Sequence, residues 1–183
     1  MDIESDLKRA LDLLGEGYDF ALDVGTGRAR MAYALARYGY NVVSLEYNID
    51  TLKKAKEMIS NEDVGDKILF VHGDAHEMPF IDESFEVVTS YNAMHHMDDY
   101  KAAIDEMMRV LKRDGKILIT ELNDLGKEKV AESHRQRGSH HEAKIDIYDV
   151  VNYIKDKYNI NGEISKGEFI DIFYGKNWIN FDY

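Results

Sequence analysis

A glycine turn beside a carboxylate is the first stretch of this sequence that could do chemistry. Asp23, Gly25, Thr26 and Gly27 follow an apolar run in ALDVGTGR. Glycines let the backbone turn sharply and let a ligand approach, and the start of the following helix offers free N–H groups. A carboxylate here would repel a pyrophosphate but could pair with an ammonium group. The turn alone is weak evidence, because a tight turn without a ligand has the same composition.

Two further carboxylates make the ligand more specific. Glu46 ends the apolar run after the next helical segment, 21 residues after Gly25, where it can accept hydrogen bonds from both hydroxyls of a ribose. Asp74, in HGDAHEMPF, can accept from an exocyclic amine such as that of adenine. A dinucleotide fingerprint requires a glycine three places after Gly27, where this chain has Arg30. The pattern favours a nucleoside ligand over a nicotinamide dinucleotide.

Two histidine clusters are candidates for a general base, because imidazole titrates near neutral pH. His95 and His96 follow the apolar run FEVVTS, and HRQRGSHHE at 134–142 adds His134, His140 and His141. The second cluster leaves three functional roles open, in addition to that of a solvated loop. Arg135 and Arg137 could pair with an anionic acceptor, a histidine could act as a base, or the histidines with Glu142 could hold a metal. Adjacent histidines point in different directions from regular backbone, which disfavours a metal site formed by this stretch alone.

Alternating strands and helices must position these side chains. Short apolar runs predict seven strands, and helical spacing of apolar residues predicts helices around 7–14, 31–38, 52–59, 100–111 and 147–158. The runs are FALDV, NVVSLE, ILFV, FEVVTS, KILITEL, 160–164 and EFIDIFYG. This alternation requires a mostly parallel sheet with helices on both faces, and ligands bind at the carboxyl ends of its strands.

Composition limits the class of protein. The 183 residues are 44% hydrophobic, which predicts a single domain over 1–183, with an N-terminal helix in 1–17 and an acceptor-side segment in 123–158. The chain has no cysteine, so thiolate metal sites and cysteine nucleophiles are excluded. The net charge of −12 disfavours nucleic acid as a partner. No segment is apolar enough to span a membrane, and we expect a cytoplasmic protein.

Five stretches together resemble the successive motifs of class I S-adenosylmethionine-dependent methyltransferases. They are ALDVGTGRARMAYAL, VVSLEYN, HGDAHEMPFIDESFEVV, SYNAMHHM and RVLKRDGKILITEL, in order from about residue 19 to 122. The small-molecule enzymes similar to quinone and sterol methyltransferases are the nearest group. The resemblance implies a Rossmann-like, doubly wound, seven-stranded sheet that is mostly parallel, with helices on both faces and an antiparallel last strand.

The resemblance also implies a cofactor site for S-adenosylmethionine, with S-adenosylhomocysteine as the product. Asp23, Gly25 and Gly27 would hold the methionine end. Glu46 would hold the ribose, Asp74 and Ala75 the adenine, and Asn92 the floor near the sulfonium. Thr26 and Tyr47 are also assigned to the cofactor. Apart from the resemblance, Arg30 is a candidate for binding the carboxylate of the methionine moiety, although it could also be an ordinary residue at the start of a helix. Where the family usually has a third glycine, this chain has Ala29.

Methyl transfer from a sulfonium mainly requires alignment of donor and acceptor, with a base only when the acceptor must lose a proton. The candidate catalytic residues are His95, His96, His140 and His141, and no metal ligand is assigned. We expect a small-molecule acceptor, partly because the loop after FEVVTS lacks the Asn-Pro-Pro-Tyr pattern of enzymes that methylate nucleic acid bases. A homodimer, a noncatalytic cofactor-binding regulator and a metal-assisted O-methyltransferase remain alternatives.

Overall fold

The computed structural model describes residues 3–136 and 145–177. The strands in this part of the chain are β1 (Phe20–Val24), β2 (Asn41–Glu46), β3 (Ile68–His72), β4 (Phe85–Tyr91), β5 (Leu111–Leu122), β6 (Gly162–Lys166) and β7 (Ile170–Lys176). The helices are α1 (Ile3–Leu14), α2 (Arg30–Arg37), α3 (Ile49–Ile59), α4 (Tyr100–Val110), α5 (Asp124–Gln136) and α6 (Ile147–Tyr158).

All seven strands belong to one sheet with the order β3-β2-β1-β4-β5-β7-β6. Strands β1 to β5 pair in parallel, whereas β7 runs antiparallel between β5 and β6. From β1 the chain first builds outward through β2 and β3, and then returns to place β4 on the other side of β1. This reversal puts the ligand-binding crevice of such a sheet at the carboxyl ends of β1 and β4. The predicted sheet, including its antiparallel last strand, is confirmed.

Helices cover both faces of the sheet, as predicted, because successive strand residues point to opposite sides. Ala21 packs in one core with α1, α2 and α3, and its neighbour Leu22 packs in a second core with α4 and α6. The first core contains Leu11, Leu35 and Ala55, and the second contains Ile104, Met107, Val150 and Ile154. The two cores hold the strands, and therefore the strand ends, in a fixed register.

Helix α5 and the start of β5 differ from the sequence prediction. The segment Asp124–Gln136 is mostly polar and has no clear apolar face, so its helix was not predicted. It begins where the Asn123 side chain accepts a hydrogen bond from the Gly126 N–H at 3.0 Å. Strand β5 begins at Leu111 rather than at Lys116, with an irregularity in its pairing to β4.

None of the described helices combines the length and the apolar composition needed to cross a membrane.

Candidate functional site

A cavity of about 700 Å³ lies at the carboxyl ends of β1, β2 and β4. This volume is within the range of about 300–1,000 Å³ that small-molecule sites occupy. All ten residues that the sequence assigned to the cofactor line this cavity: Asp23, Gly25, Thr26, Gly27, Arg30, Glu46, Tyr47, Asp74, Ala75 and Asn92. Four separate stretches of the chain thus meet at one place.

The glycine turn packs tightly against the loop after β4. Gly25 has a φ of 85° and Gly27 a φ of 51°, in the left-handed region that favours glycine. A Cβ atom on Gly25 would lie 2.6 Å from the Cβ of Ala93, so a side chain there would push the two loops apart. Ala29, at the position of the family's third glycine, also has a left-handed φ of 55°. The turn therefore has the glycine-type backbone at all three positions.

Asp23 is a buried carboxylate at the wall of the cavity, with only 1% of its surface exposed. The Ser44 hydroxyl donates to Asp23 Oδ2 at 2.9 Å, and the Thr89 hydroxyl donates to Oδ1 at 3.4 Å. Burial raises the pKa of Asp23 to about 7, although the hydrogen bond from Ser44 opposes this. Within the described chain, no basic side chain lies within 4.0 Å of it. Asp23 is therefore suited to receive a cationic group from a ligand.

Glu46 and Asp74 retain capacity to accept hydrogen bonds. Glu46 accepts one hydrogen bond from the Gly27 N–H and one from the Asn48 N–H, each at 3.0 Å. About half of the lone pairs of its carboxylate are thus available to accept hydrogen bonds from a ligand. Asp74 Oδ1 accepts from the His76 N–H at 2.8 Å and lies 2.6 Å from His76 Nδ1. The hydrogen bond from the His76 backbone, above all, holds the pKa of Asp74 below its usual value. Its Oδ2 contacts no hydrogen-bond donor of the described residues.

Asn92 is fixed at the floor of the cavity by contacts across β4 and β5. Its φ of 51° is left-handed, its N–H donates to the Thr120 carbonyl at 2.9 Å, and its Oδ1 accepts from the Thr120 hydroxyl at 3.1 Å. This double contact defines where the side chain lies.

The two neighbouring histidines have different surroundings. The His95 side chain is 3% exposed and does not line the cavity, and its Nδ1 lies 2.6 Å from Oε2 of the buried Glu121. The other oxygen of Glu121 accepts from the Met94 N–H at 2.9 Å. His96 lines the cavity, and its ring centroid lies 4.1 Å from that of His95. Direct contact of His95 with an acceptor in the cavity is therefore not supported by the structure.

The second histidine cluster is only partly described. His134 falls on α5, where its side chain is not described, and Arg135 on the same helix is exposed. Arg137, His140, His141 and Glu142 lie outside the described residues. The open alternatives for this stretch therefore stay open.

A family profile described as a methyltransferase domain matches residues 22–119, more than half of the chain. The chain belongs to the methyltransferase domain family. An uncharacterized methyltransferase, YcgJ of Bacillus subtilis, is 31% identical over 100 residues, covering 55% of this chain and 39% of that protein. A demethylmenaquinone methyltransferase of Lactobacillus johnsonii is 35% identical over 106 residues, covering 56% and 43%. The matched region thus spans less than half the length of these curated relatives.

Solved structures give the same fold for the methyltransferase domain. A putative methyltransferase of Bacillus halodurans superimposes with a TM-score of 0.74 at 22% identity, covering 96% of this chain and all of that chain. An S-adenosylmethionine-dependent methyltransferase of Aquifex aeolicus gives 0.74 at 18% identity, with coverage of 96% and 89%. The predicted class I S-adenosylmethionine-dependent methyltransferase family, its cofactor class and its Rossmann-like fold are confirmed at the level of the family and the fold.

Sequence reasoning missed the side chains that hydrogen-bond to Asp23. Ser44 and Thr89 are polar residues inside apolar strands, and this exception was the available signal for the network around Asp23. Glu121, near the end of β5, is a further buried carboxylate that the sequence analysis did not assign, and it lies against His95. In residues 3–136 and 145–177, no group of three or more His, Asp or Glu side chains could hold a metal ion.

Proposed function

We propose that this domain transfers a methyl group from S-adenosylmethionine to a small-molecule acceptor in the cavity and releases S-adenosylhomocysteine. The observation that carries this proposal is the meeting of Asp23, Glu46 and Asp74 around one cavity at the switch point of the sheet. The three carboxylates differ in burial and in hydrogen bonding, so each suits a different part of the cofactor.

The residues present fit this cofactor, which supplies an electrophilic methyl group on a sulfonium. Buried Asp23 would pair with the ammonium group, and Arg30 at the start of α2 would bind the carboxylate of the methionine end. Glu46 would accept from the ribose hydroxyls, and Asp74 Oδ2 would accept from the adenine amine. Gly25, Thr26 and Gly27 would allow close approach of the cofactor to the backbone. Ala75 would contact the adenine and Asn92 would lie near the sulfonium, and Tyr47 also lines the cavity.

Two observations support a small-molecule acceptor. Relatives of this chain include a demethylmenaquinone methyltransferase and a 27-O-demethylrifamycin SV methyltransferase, whose names denote small-molecule acceptors. The net charge of −12 also opposes the approach of a nucleic acid backbone. A cytoplasmic location stays a prediction, and a homodimer stays an alternative.

His96 is our candidate for the general base, because it lines the cavity. When the acceptor atom carries a proton, that proton would pass to the His96 imidazole as the new bond to the methyl group forms. His95 would then act as a positioning residue, since Glu121 holds its ring against that of His96. His140 and His141 remain candidates from the sequence alone.

Calorimetric titration with S-adenosylhomocysteine tests the cofactor site. We expect Glu46→Ala to raise the Kd at least tenfold, about 1.4 kcal/mol, because the ribose loses its acceptor. Glu62→Ala, a change at an exposed carboxylate outside the cavity, serves as the matched control and should leave the Kd unchanged. Tight binding of NAD with no binding of S-adenosylhomocysteine would refute the proposal. Binding of S-adenosylhomocysteine without transfer to any acceptor would favour the noncatalytic alternative.

A further inference from the structure

We propose that the acceptor is an anion, a molecule with a carboxylate or phosphoryl group, and that Arg28 at the cavity wall binds this group. The inference rests on the proposed function and names the substrate class of the same site.

The pairing of the arginines distinguishes Arg28 and Arg30 from most others in the described chain. Four arginines each have a carboxylate within 4.0 Å: Arg9, Arg37, Arg109 and Arg113. Arg28 and Arg30 have no such partner among the described residues, although the chain has 35 acidic side chains against 23 basic ones. Both are exposed and both line the cavity. Two exposed arginines with no carboxylate partner in residues 3–136 and 145–177 therefore line the same cavity.

The cofactor needs no more than one of these two guanidinium groups. S-adenosylmethionine has a single carboxylate, and one planar guanidinium can bind a carboxylate with two parallel hydrogen bonds. Arg30 is assigned to this carboxylate. Asp23, Glu46 and Asp74 would accept hydrogen bonds from the ammonium, ribose and adenine groups of the cofactor. Arg28 is therefore available for a second anion in the same cavity.

Tyr91 adds a neutral donor to the same cavity. It lines the cavity at the end of β4, and its hydroxyl makes no hydrogen bond to any described residue. Burial raises the pKa of Tyr91 to about 12, although the charge of Arg30 opposes this, so the hydroxyl keeps its proton at neutral pH. A protonated phenol and a guanidinium are both donors, as an anionic group requires.

One of the other side chains that line the cavity would favour a cation over an anion. Asp98 is an exposed carboxylate of the cavity and would attract a cation instead, whereas Met97 and Ala93 offer apolar contact. A small aromatic acid is therefore a suitable probe. An aromatic amine of similar shape tests whether the cavity instead prefers a cationic acceptor.

The experiment is a titration of the protein saturated with S-adenosylhomocysteine, using benzoate, phenyl phosphate, benzamide and benzylamine as probes. We expect benzoate or phenyl phosphate to bind at least tenfold more tightly than benzamide, and the better of the two identifies the anionic group. Arg28→Gln should remove this preference, and Arg28→Lys should restore part of it, because lysine keeps the charge but not the planar fork. Arg113→Gln, a change at a surface arginine outside the cavity, is the matched control.

Three outcomes would overturn the inference: benzamide or benzylamine binding as tightly as both anions, a preference that survives Arg28→Gln, or a tenfold loss of S-adenosylhomocysteine affinity in Arg28→Gln. The last outcome would assign Arg28 to the cofactor. A wild-type protein that does not bind S-adenosylhomocysteine would instead refute the proposed function, so the two failures are distinguishable.

Discussion

Replacing Asp23 by asparagine should stabilise the fold and weaken cofactor binding at the same time. The carboxylate is buried, and its pKa rises from 3.8 to about 7 on folding because burial disfavours the charged form. At about 1.4 kcal/mol for each tenfold change in proton affinity, this difference amounts to about 4 kcal/mol. Asparagine has nearly the same shape, and the hydroxyls of Ser44 and Thr89 can still hydrogen-bond to it.

The stability difference between Asp23→Asn and the wild type should depend on pH. Because the folded protein holds the Asp23 proton more tightly than the unfolded chain does, the stabilising contribution is complete below pH 3.8. It is lost as the pH rises, until Asp23 is ionised in both states above about pH 7. The advantage of Asp23→Asn should therefore grow from about 2 kcal/mol at pH 5 to about 4 kcal/mol at pH 8.

Urea denaturation of both proteins between pH 5 and pH 8 measures this difference, with Asp156→Asn, an exposed carboxylate on α6, as the control. Titration with S-adenosylhomocysteine in parallel should show at least a tenfold weaker Kd for Asp23→Asn, because the ammonium group loses its partner. If Asp23→Asn is no more stable than the wild type at pH 8, or if the difference does not change with pH, burial does not hold this carboxyl group uncharged.

Three further predictions concern the loops of the site. The affinity of the wild type for S-adenosylhomocysteine should increase between pH 6 and pH 8, as Asp23 ionises, and should stay nearly constant in Asp23→Asn, as measured by calorimetry. Gly25→Ala should cost at least about 1 kcal/mol more in urea denaturation than Gly15→Ala, since both have a positive φ but only Gly25 would contact Ala93; equal losses would contradict this. Glu121→Ala should destabilise the fold by about 1–3 kcal/mol in urea denaturation, because the buried Met94 N–H loses its acceptor, while Glu121→Gln should retain more of the stability.

The positions of Asp23, Glu46 and Asp74 could be predicted because they follow from strand ends. Apolar runs show where buried strands stop, and the carboxyl ends of parallel strands meet at one edge of the sheet. Helix α5 could not be predicted in the same way, because its polar sequence has no clear apolar period. Its start depends on a contact distant in sequence: Gly126 approaches the Phe169 carbonyl so closely that a Cβ atom would lie 2.0 Å away.

The roles of His95 and His96 show a second limit of sequence reasoning. Both lie on one short 3-10 turn, Met94–His96, where adjacent side chains point in different directions. The sequence does not show which of the two side chains is buried and which lines the cavity. The choice depends on Glu121, which reaches His95 from the neighbouring strand β5 and also accepts from the Met94 N–H. Glu121, a carboxylate near the end of a buried strand, is thus the sequence feature that could indicate a buried histidine partner.

Three energetically unfavourable features lie at or beside the cavity. Ala29 and Asn92 are two of the four described non-glycine residues with positive φ, and such a conformation costs about 1–2 kcal/mol for a residue with a Cβ atom. Asn92 lines the cavity, and Ala29 stands between Arg28 and Arg30, which also line it. The buried carboxyl group of Asp23 adds a cost that appears as the pH rises. A ligand that brings an ammonium group to Asp23 would offset part of this cost, so binding and stability are linked through the same side chain.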